Sequence, residues 1–311
     1  MDLSNDHMNY EAIIISAGRT AAPTGEKFVF INNAAHSLFS DFKVKINESV
    51  VAGGDGNYHH LAFMHNHLQY THAVKSTVKI TEGFYSPSLD GQNKEFTDFA
   101  HSSNAALANM TDSSKWIKFT LPLRTVSIMN QDKALPPGKK VQITLVRNDP
   151  KFVIWAADDS KHYTFEIRNM DITIPMICPT QSIQAQIAEK SRNAAASFYY
   201  PDLRMFRYTI PTGTTQKDFF NVFQDRAIKL AFFALVKSNI YNNQASRKFI
   251  FQRHNLEEME LRTQGRSVSG KPLHVGDVSE AFRHFNRQFN LYAANEDVGI
   301  NLDDFNKYSN I

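Results

Sequence analysis

The sequence predicts an all-β protein, built as two tandem antiparallel jelly-roll barrels or sandwiches with a few short helices in its loops. Three observations lead there. Aromatic residues make up 12% of the 311 residues and include 24 Phe, a load that favours pleated, half-buried surfaces. Short segments alternating apolar and polar residues recur along most of the chain, while helical stripes are few. No strand–helix–strand alternation occurs, which weighs against a parallel sheet.

The strands are justified in chain order. Phe42, Val44 and Ile46 alternate with Lys43 and Lys45, the pattern of a strand with one wet face. Ile117, Phe119, Leu121 and Leu123 repeat it, ahead of a further apolar segment, Thr125 to Met129. The turn Leu135-Pro136-Pro137-Gly138-Lys139 leads into Val141, Ile143 and Leu145, again in strict alternation. Phe152 to Trp155, Tyr163 to Ile167 and Met170 to Ile174 follow, with Arg168-Asn169 as a joint between the last two. Arg204 to Ile210, Ala227 to Val236, Lys248 to Gln252 and Glu258 to Arg262 complete the set. The joint near Arg168 divides the strands into a first unit, residues 1–167, and a second, residues 168–311.

Three segments read as helices. Tyr58 to Val74 places Leu61, Met64 and Leu68 on one stripe, and Gln181 to Ala196 is rich in helix formers around Ile183 and Ile187. Val278, Phe282, Phe285 and Phe289 recur at spacings of four, three and four, an apolar stripe expected to lie on the second unit. Tyr85 to Ser114 carries many Ser, Asn and Asp without a sustained period and reads as a long loop.

Composition excludes several classes. The 34 basic and 31 acidic residues nearly balance, and no run of five like charges occurs, so the basic tail of many nucleic-acid binders is missing. Cys178 is the single cysteine, which rules out an intrachain disulfide and fits a reducing compartment. Met1 to Tyr10 is polar and does not read as a secretory signal. The longest apolar stretch, Leu230 to Val236, is far too short to span a bilayer. Sequons at Asn47-Glu48-Ser49 and Asn109-Met110-Thr111 carry little weight without secretion.

Two patterns invite a chemical reading. His59, His60, His65, His67 and His72 fall within fourteen residues. Helical ligand pairs sit three or four apart, and no two of these five do. On a strand, His65 and His67 would share a face as in a cupin, but the next Glu is Glu82. These histidines are therefore expected on the polar surface of an amphipathic helix, where replacing His65 and His67 by Ala leaves folding and oligomeric state unchanged. Gly265 to Pro272 matches a phosphate-binding loop until its last position, where Pro272 has no hydroxyl for Mg²⁺. A hairpin with Gly265 and Gly270 as turn residues is the better reading. Cys178 has no nucleophile signature around it, no G-x-S-x-G elbow occurs, and Asp158-Asp159 and Asp303-Asp304 sit in polar, loop-like context. Arg204, Arg207 and Arg226 lie near aromatics without forming a basic stripe. No residue is assigned a catalytic, cofactor-binding or metal-ligating role.

Ala35-His36-Ser37-Leu38-Phe39-Ser40 runs into the strand ending Ile46-Asn47, and Tyr58 opens the helix after it. With Leu121-Pro122-Leu123, Leu145 to Asn148, Tyr208 to Pro211 with Gly213, Phe249 to Asn255 and Lys271-Pro272-Leu273, this set resembles the major capsid proteins of Polinton (Maverick) elements, of the adenovirus-hexon-like lineage. The resemblance runs from about Asn33 to Phe305. It implies two eight-stranded jelly rolls side by side, with no chemistry of their own and no cofactor. It also implies a homotrimeric, pseudo-hexagonal capsomer that tiles an icosahedral shell beside penton and minor capsid proteins. No sequence-specific nucleic-acid binding and no membrane insertion are implied; the place of action is a virion, after synthesis in the cytoplasm and assembly in the nucleus. Such proteins carry several strands before the Ala35–Ser40 segment and another after Phe305, so the first unit is expected to lack its earliest strands and the second its last. On that basis the chain alone is expected to express poorly or aggregate. The alternatives are a cupin-like metal-dependent jelly-roll enzyme using the histidines, or a β-sandwich interaction module.

Overall fold

The computed structural model describes residues 6–16, 28–85, 115–156 except 126 and 131–132, 162–193, and 300, 302, 305 and 306. It also describes residues 197–288 except 201, 224–227, 247, 250 and 252–253. The loop read at 86–114 and residues Asp158-Asp159, Arg226, Phe289 and Asp303-Asp304 lie outside them.

The described chain is largely β with few helices, and every strand pair is antiparallel. Strand β1 (His7–Ser16) is the centre of one sheet. The strands β2 (Phe28–Phe30), β3 (Phe39–Ile46) and β4 (Ser49–Ala52) follow, with the short helix α1 (Ala34–Ser37) between β2 and β3. Helix α2 (Tyr58–Gln69), helix α3 (His72–Ser76) and a 3-10 turn at Val78–Glu82 come next, then β5 (Ile117–Pro122) and β6 (Val141–Arg147). After the helical turn α4 (Pro150–Val153) come β7 (Ile154–Ala156) and the long β8 (Tyr163–Thr173). The sheets are small: β5-β1-β8, β4-β3-β6 and the pair β2-β7, and none closes into a barrel among the described residues.

In β3 Phe42 and Val44 are buried and Lys43 and Lys45 are not, as the alternation promised, while Ile46 is only half-buried. The same holds in β5, whose Phe119 and Leu121 point inward. Met8, Tyr10, Ala12 and Ile14 of β1 join them, with Phe30, Phe165 and the β3 residues, in one aromatic-rich core. Tyr10 meets Phe39 edge-on at 5.5 Å and Phe30 meets Phe119 at 6.0 Å, geometries that add to area burial. Neither β1 nor β2 was read from the sequence, so two strands precede the Ala35–Ser40 segment where none was expected.

Several local expectations are corrected. Thr125 and Ser127–Met129 lie in 3-10 turns and not in a strand, and β5 ends at Pro122. Phe152 and Val153 are helical because Pro150 occupies the first turn and the Asp149 side chain caps Lys151 N–H at 2.8 Å. The two strands drawn on either side of Arg168-Asn169 are one strand, β8. The joint there is a register shift against Asn9 and Glu11, with Asn169 at φ 51°, a β-bulge. Glu11 Oε2 accepts from Arg168 Nε at 2.8 Å and from Asn169 Nδ2 at 3.0 Å.

Among the described residues beyond β8, regular structure is sparse. Helix α5 (Gln181–Asn193) forms as expected. Arg204 to Ile210 and residues 228–236 make no ladder among the described residues. An apolar run is a strand only when a neighbouring edge takes its N–H and C=O groups, and here none does. The pairs β9 (Glu258–Met259) with β12 (Leu273–His274), and β10 (Arg262–Thr263) with β11 (Arg266–Ser267), are two residues each. The second is a tight hairpin on Gln264 and Gly265, φ 50° and 76°, so the phosphate-loop look-alike is a turn as read. Helix α6 (Val278–Gln288) buries Ala281 and Phe285 in a cluster with Leu68, Ile300 and Phe305, and Met64 and Leu68 of α2 belong to that contact.

Candidate functional site

The structure brings together a group of polar side chains inside the core that the sequence did not single out. Asn33 and His36 come from α1 and the residue that opens it, Tyr58 and Asn66 from α2, and Lys79 and Glu82 from the 3-10 turn. Asn33 opens α1 at φ 59°, where its N–H and that of Ala34 reach Gly83 O at 2.8 and 3.4 Å. This pins the turn carrying Glu82 beneath α1.

Glu82 is the hub. His36 Nε2 lies 3.1 Å from Glu82 Oε2, Lys79 Nζ donates to its two oxygens at 2.8 and 3.0 Å, and Asn66 Nδ2 donates at 3.1 Å. Asn66 Nδ2 also reaches Asn33 Oδ1 at 2.9 Å. On its other side His36 Nδ1 stands 2.7 Å from the Tyr58 hydroxyl. A carboxylate only accepts, so the tautomer that satisfies every contact keeps the proton on Nε2 and takes the Tyr58 proton at Nδ1. The Lys79 ammonium also stands 4.0 Å from the centre of the Tyr70 ring.

Burial pushes the His36 pKa down, and the Glu82 carboxylate only partly offsets it, so His36 stays neutral. For Glu82, burial pushes upward, but the hydrogen bond from His36 and the Lys79 cation outweigh it and hold the carboxyl below its usual range. Burial, reinforced by Glu82, raises the Tyr58 hydroxyl well above 10. The cluster is a neutral imidazole, an ionised pair and a neutral phenol. The side chains of His36, Glu82 and Lys79 are 0–2% exposed. A substrate cannot reach these atoms without opening the core, and their chemistry is that of a polar knot tying three segments together.

The histidine run is not on a polar helix surface. His59, His60 and His67 are buried, and only His65 is partly open. His59 packs on Phe152 at 4.4 Å, His60 donates to or accepts from Tyr241 Oη at 2.8 Å, and His67 stacks on Phe63 at 5.8 Å. The expectation that His67 can be truncated without cost therefore fails: α2 is covered on nearly all sides, and an imidazole serves there as a ring that packs. His72, in α3, is exposed. Among the described residues no three His, Cys, Asp or Glu side chains gather in a metal-binding arrangement. Cys178 is exposed.

A shallow cleft lies beside the knot, lined by Asp41, Phe42, Ala52, Asp55, Tyr58 and Leu203. Its volume, about 30 Å³, is roughly a tenth of what small-molecule sites need. Arg204 closes one end through Asp55 at 3.2 Å and Asp202 at 2.9 Å. Among the described residues no helix is long and apolar enough to cross a membrane.

No family model matches the chain, and no solved structure does. The sequence is 20% identical over 263 residues to the uncharacterized protein F54H12.2 of Caenorhabditis elegans, a match covering 81% of this chain and 58% of the relative. The chain thus spans little more than half the length of the protein it resembles.

Proposed function

We propose that this chain is a structural protein, a double jelly-roll capsid subunit of a DNA virus or virus-like transposon. In this reading residues 1–167 and 168–311 supply one jelly roll each, with β8 (Tyr163–Thr173) running across the division. Three copies form a pseudo-hexagonal capsomer that meets penton and minor capsid proteins in a virion, after synthesis in the cytoplasm and assembly in the nucleus.

The observation that carries the reading is a contrast between inside and outside. His36, Tyr58, Lys79 and Glu82 are sealed into the core, while large apolar side chains face outward beyond β8. Met176 is 69% exposed, Tyr199 85% and Phe220 87%, and Ile228, Leu230, Phe232 and Phe233 are exposed with them. Scattered exposed apolar residues are ordinary, but an extended series of large ones marks a surface that meets other chains. Antiparallel sheets whose edge strands β4, β5, β6 and β8 have one unpaired side among the described residues offer further surface for lateral contacts. The resemblance around Ala35 to Ser40 and Tyr208 to Pro211 supports the same assignment.

Light scattering and negative-stain electron microscopy of the purified chain test it. A concentration-dependent trimer and hexagonal outlines are expected. A monomer at high concentration, with stability that responds to a small ligand or glycan, would identify a β-sandwich binding module instead.

A further inference from the structure

We propose that α2 is an acid-sensitive element of the core: its imidazoles are seated where only the neutral ring fits, and protonating them releases the helix and the segments packed on it. The geometry rests on three rings of α2, those of His59, His60 and His65. Both nitrogens of His59 are buried without a hydrogen-bond partner, as are Nδ1 of His60 and Nδ1 of His65. A protonated imidazole is a double donor, so at each of these rings at least one buried N–H would point at nothing that accepts it.

The charged groups around the rings make the same demand. Arg207 bears on His59 and His60, Lys75 on His67, and Lys79 on His65 and His36. Lys248 lies across the Phe152 ring that His59 and His60 pack against. The rings of Tyr58, Tyr70 and Tyr241 face the rings of His36, His65 and His60. Among the described residues the one carboxylate acting on these histidines is Glu82, already shared between Lys79, His36 and Asn66. New positive charge would therefore meet positive charge.

Burial, then these cations, pushes His59 and His65 down to about 4 and His67 to about 3. His60 and His36 move the same way. All fall below the unfolded value, so the open form gains protons as pH drops below about 6.5 and the closed form does not. Between pH 7 and pH 5 the opening equilibrium shifts by about 20-fold for each such ring.

What α2 holds makes the opening consequential. Phe63 stacks on Phe249 at 4.1 Å with the rings within 2° of parallel, and contacts Phe251 at 6.0 Å. Leu68 and Met64 hold the α6 cluster. Release of one helix therefore frees Phe249, Phe251 and α6 together.

The test is amide hydrogen exchange of the full chain between pH 7.5 and 4.5, corrected for the pH dependence of intrinsic exchange, beside the double variant His59→Phe/His67→Leu. The wild type is expected to lose protection in α2 and around Phe249 between pH 6.5 and 5, and the variant to lose it at lower pH. Protection that persists unchanged in the wild type at pH 5, or a variant that opens at the same pH, overturns the proposal. If the variant does not fold at pH 7.5, an NMR titration of the wild-type imidazoles decides: protonation below pH 5 upholds the device, and protonation near 6.5 overturns it.

Discussion

Replacing Glu82 by Leu tests the polar knot most sharply. The substitution removes the counter-charge of Lys79, whose ammonium is 2% exposed and 2.8 Å from the carboxylate. It also removes the acceptor for His36 Nε2–H and Asn66 Nδ2. Breaking a buried pair by deleting one partner costs about 3–5 kcal/mol, because the remaining charge is left desolvated and alone. At about 2–4 °C per kcal/mol for chains of this size, the melting temperature should fall by roughly 6–20 °C. The double variant Lys79→Met/Glu82→Leu removes both charges and should recover most of that loss, since an apolar pair of similar volume tolerates the site. Calorimetry of wild type, Glu82→Leu, Lys79→Met and the double variant forms a cycle. Additive single effects would refute the account, because they would mean that the two groups do not depend on each other in the folded state.

Three further outcomes follow from the geometry. In urea titrations, stability should fall by about 2 kcal/mol for each of His59, His65 and His67 between pH 7 and pH 5, since their folded values of about 4, 4 and 3 lie below the unfolded 6.5; a flat profile contradicts the burial assigned to them. Gly53→Ala should cost about 2 kcal/mol or more in the same titration. Gly53 sits at φ 80°, and a Cβ there would stand 1.9 Å from Phe42 O. Phe63→Ala should cost about 3–5 kcal/mol and expose Phe249 to proteolysis, because the two rings stack at 4.1 Å.

Period-2 alternation located β3, β5 and β6 because each has one wet face, and the pattern is a direct print of that asymmetry. Strand β1 escaped because its second half, Ala12 to Ile15, is buried on both faces and leaves an unbroken apolar run with no period. Helix α2 was legible as a helix, but its outward face was misjudged. Histidine counts as polar in any pattern, whereas a neutral imidazole packs like an aromatic ring when enough rings surround it. The knot was hidden for another reason: Asn33, Tyr58, Lys79 and Glu82 lie up to 49 positions apart in sequence, and only the fold of α1 over the 3-10 turn brings them together. His36 was visible as a letter within Ala35 to Ser40, with nothing to say that it would be buried. Beyond β8, alternation predicted strands that the described residues do not pair, since a pattern specifies a face and cannot supply a partner edge.

Multi-angle light scattering of the purified full chain, across a concentration series at neutral pH, measures whether this subunit assembles with its own copies. A species of three times the 35.4 kDa protomer mass that grows in with concentration is expected. A mass that stays at one protomer throughout would contradict it.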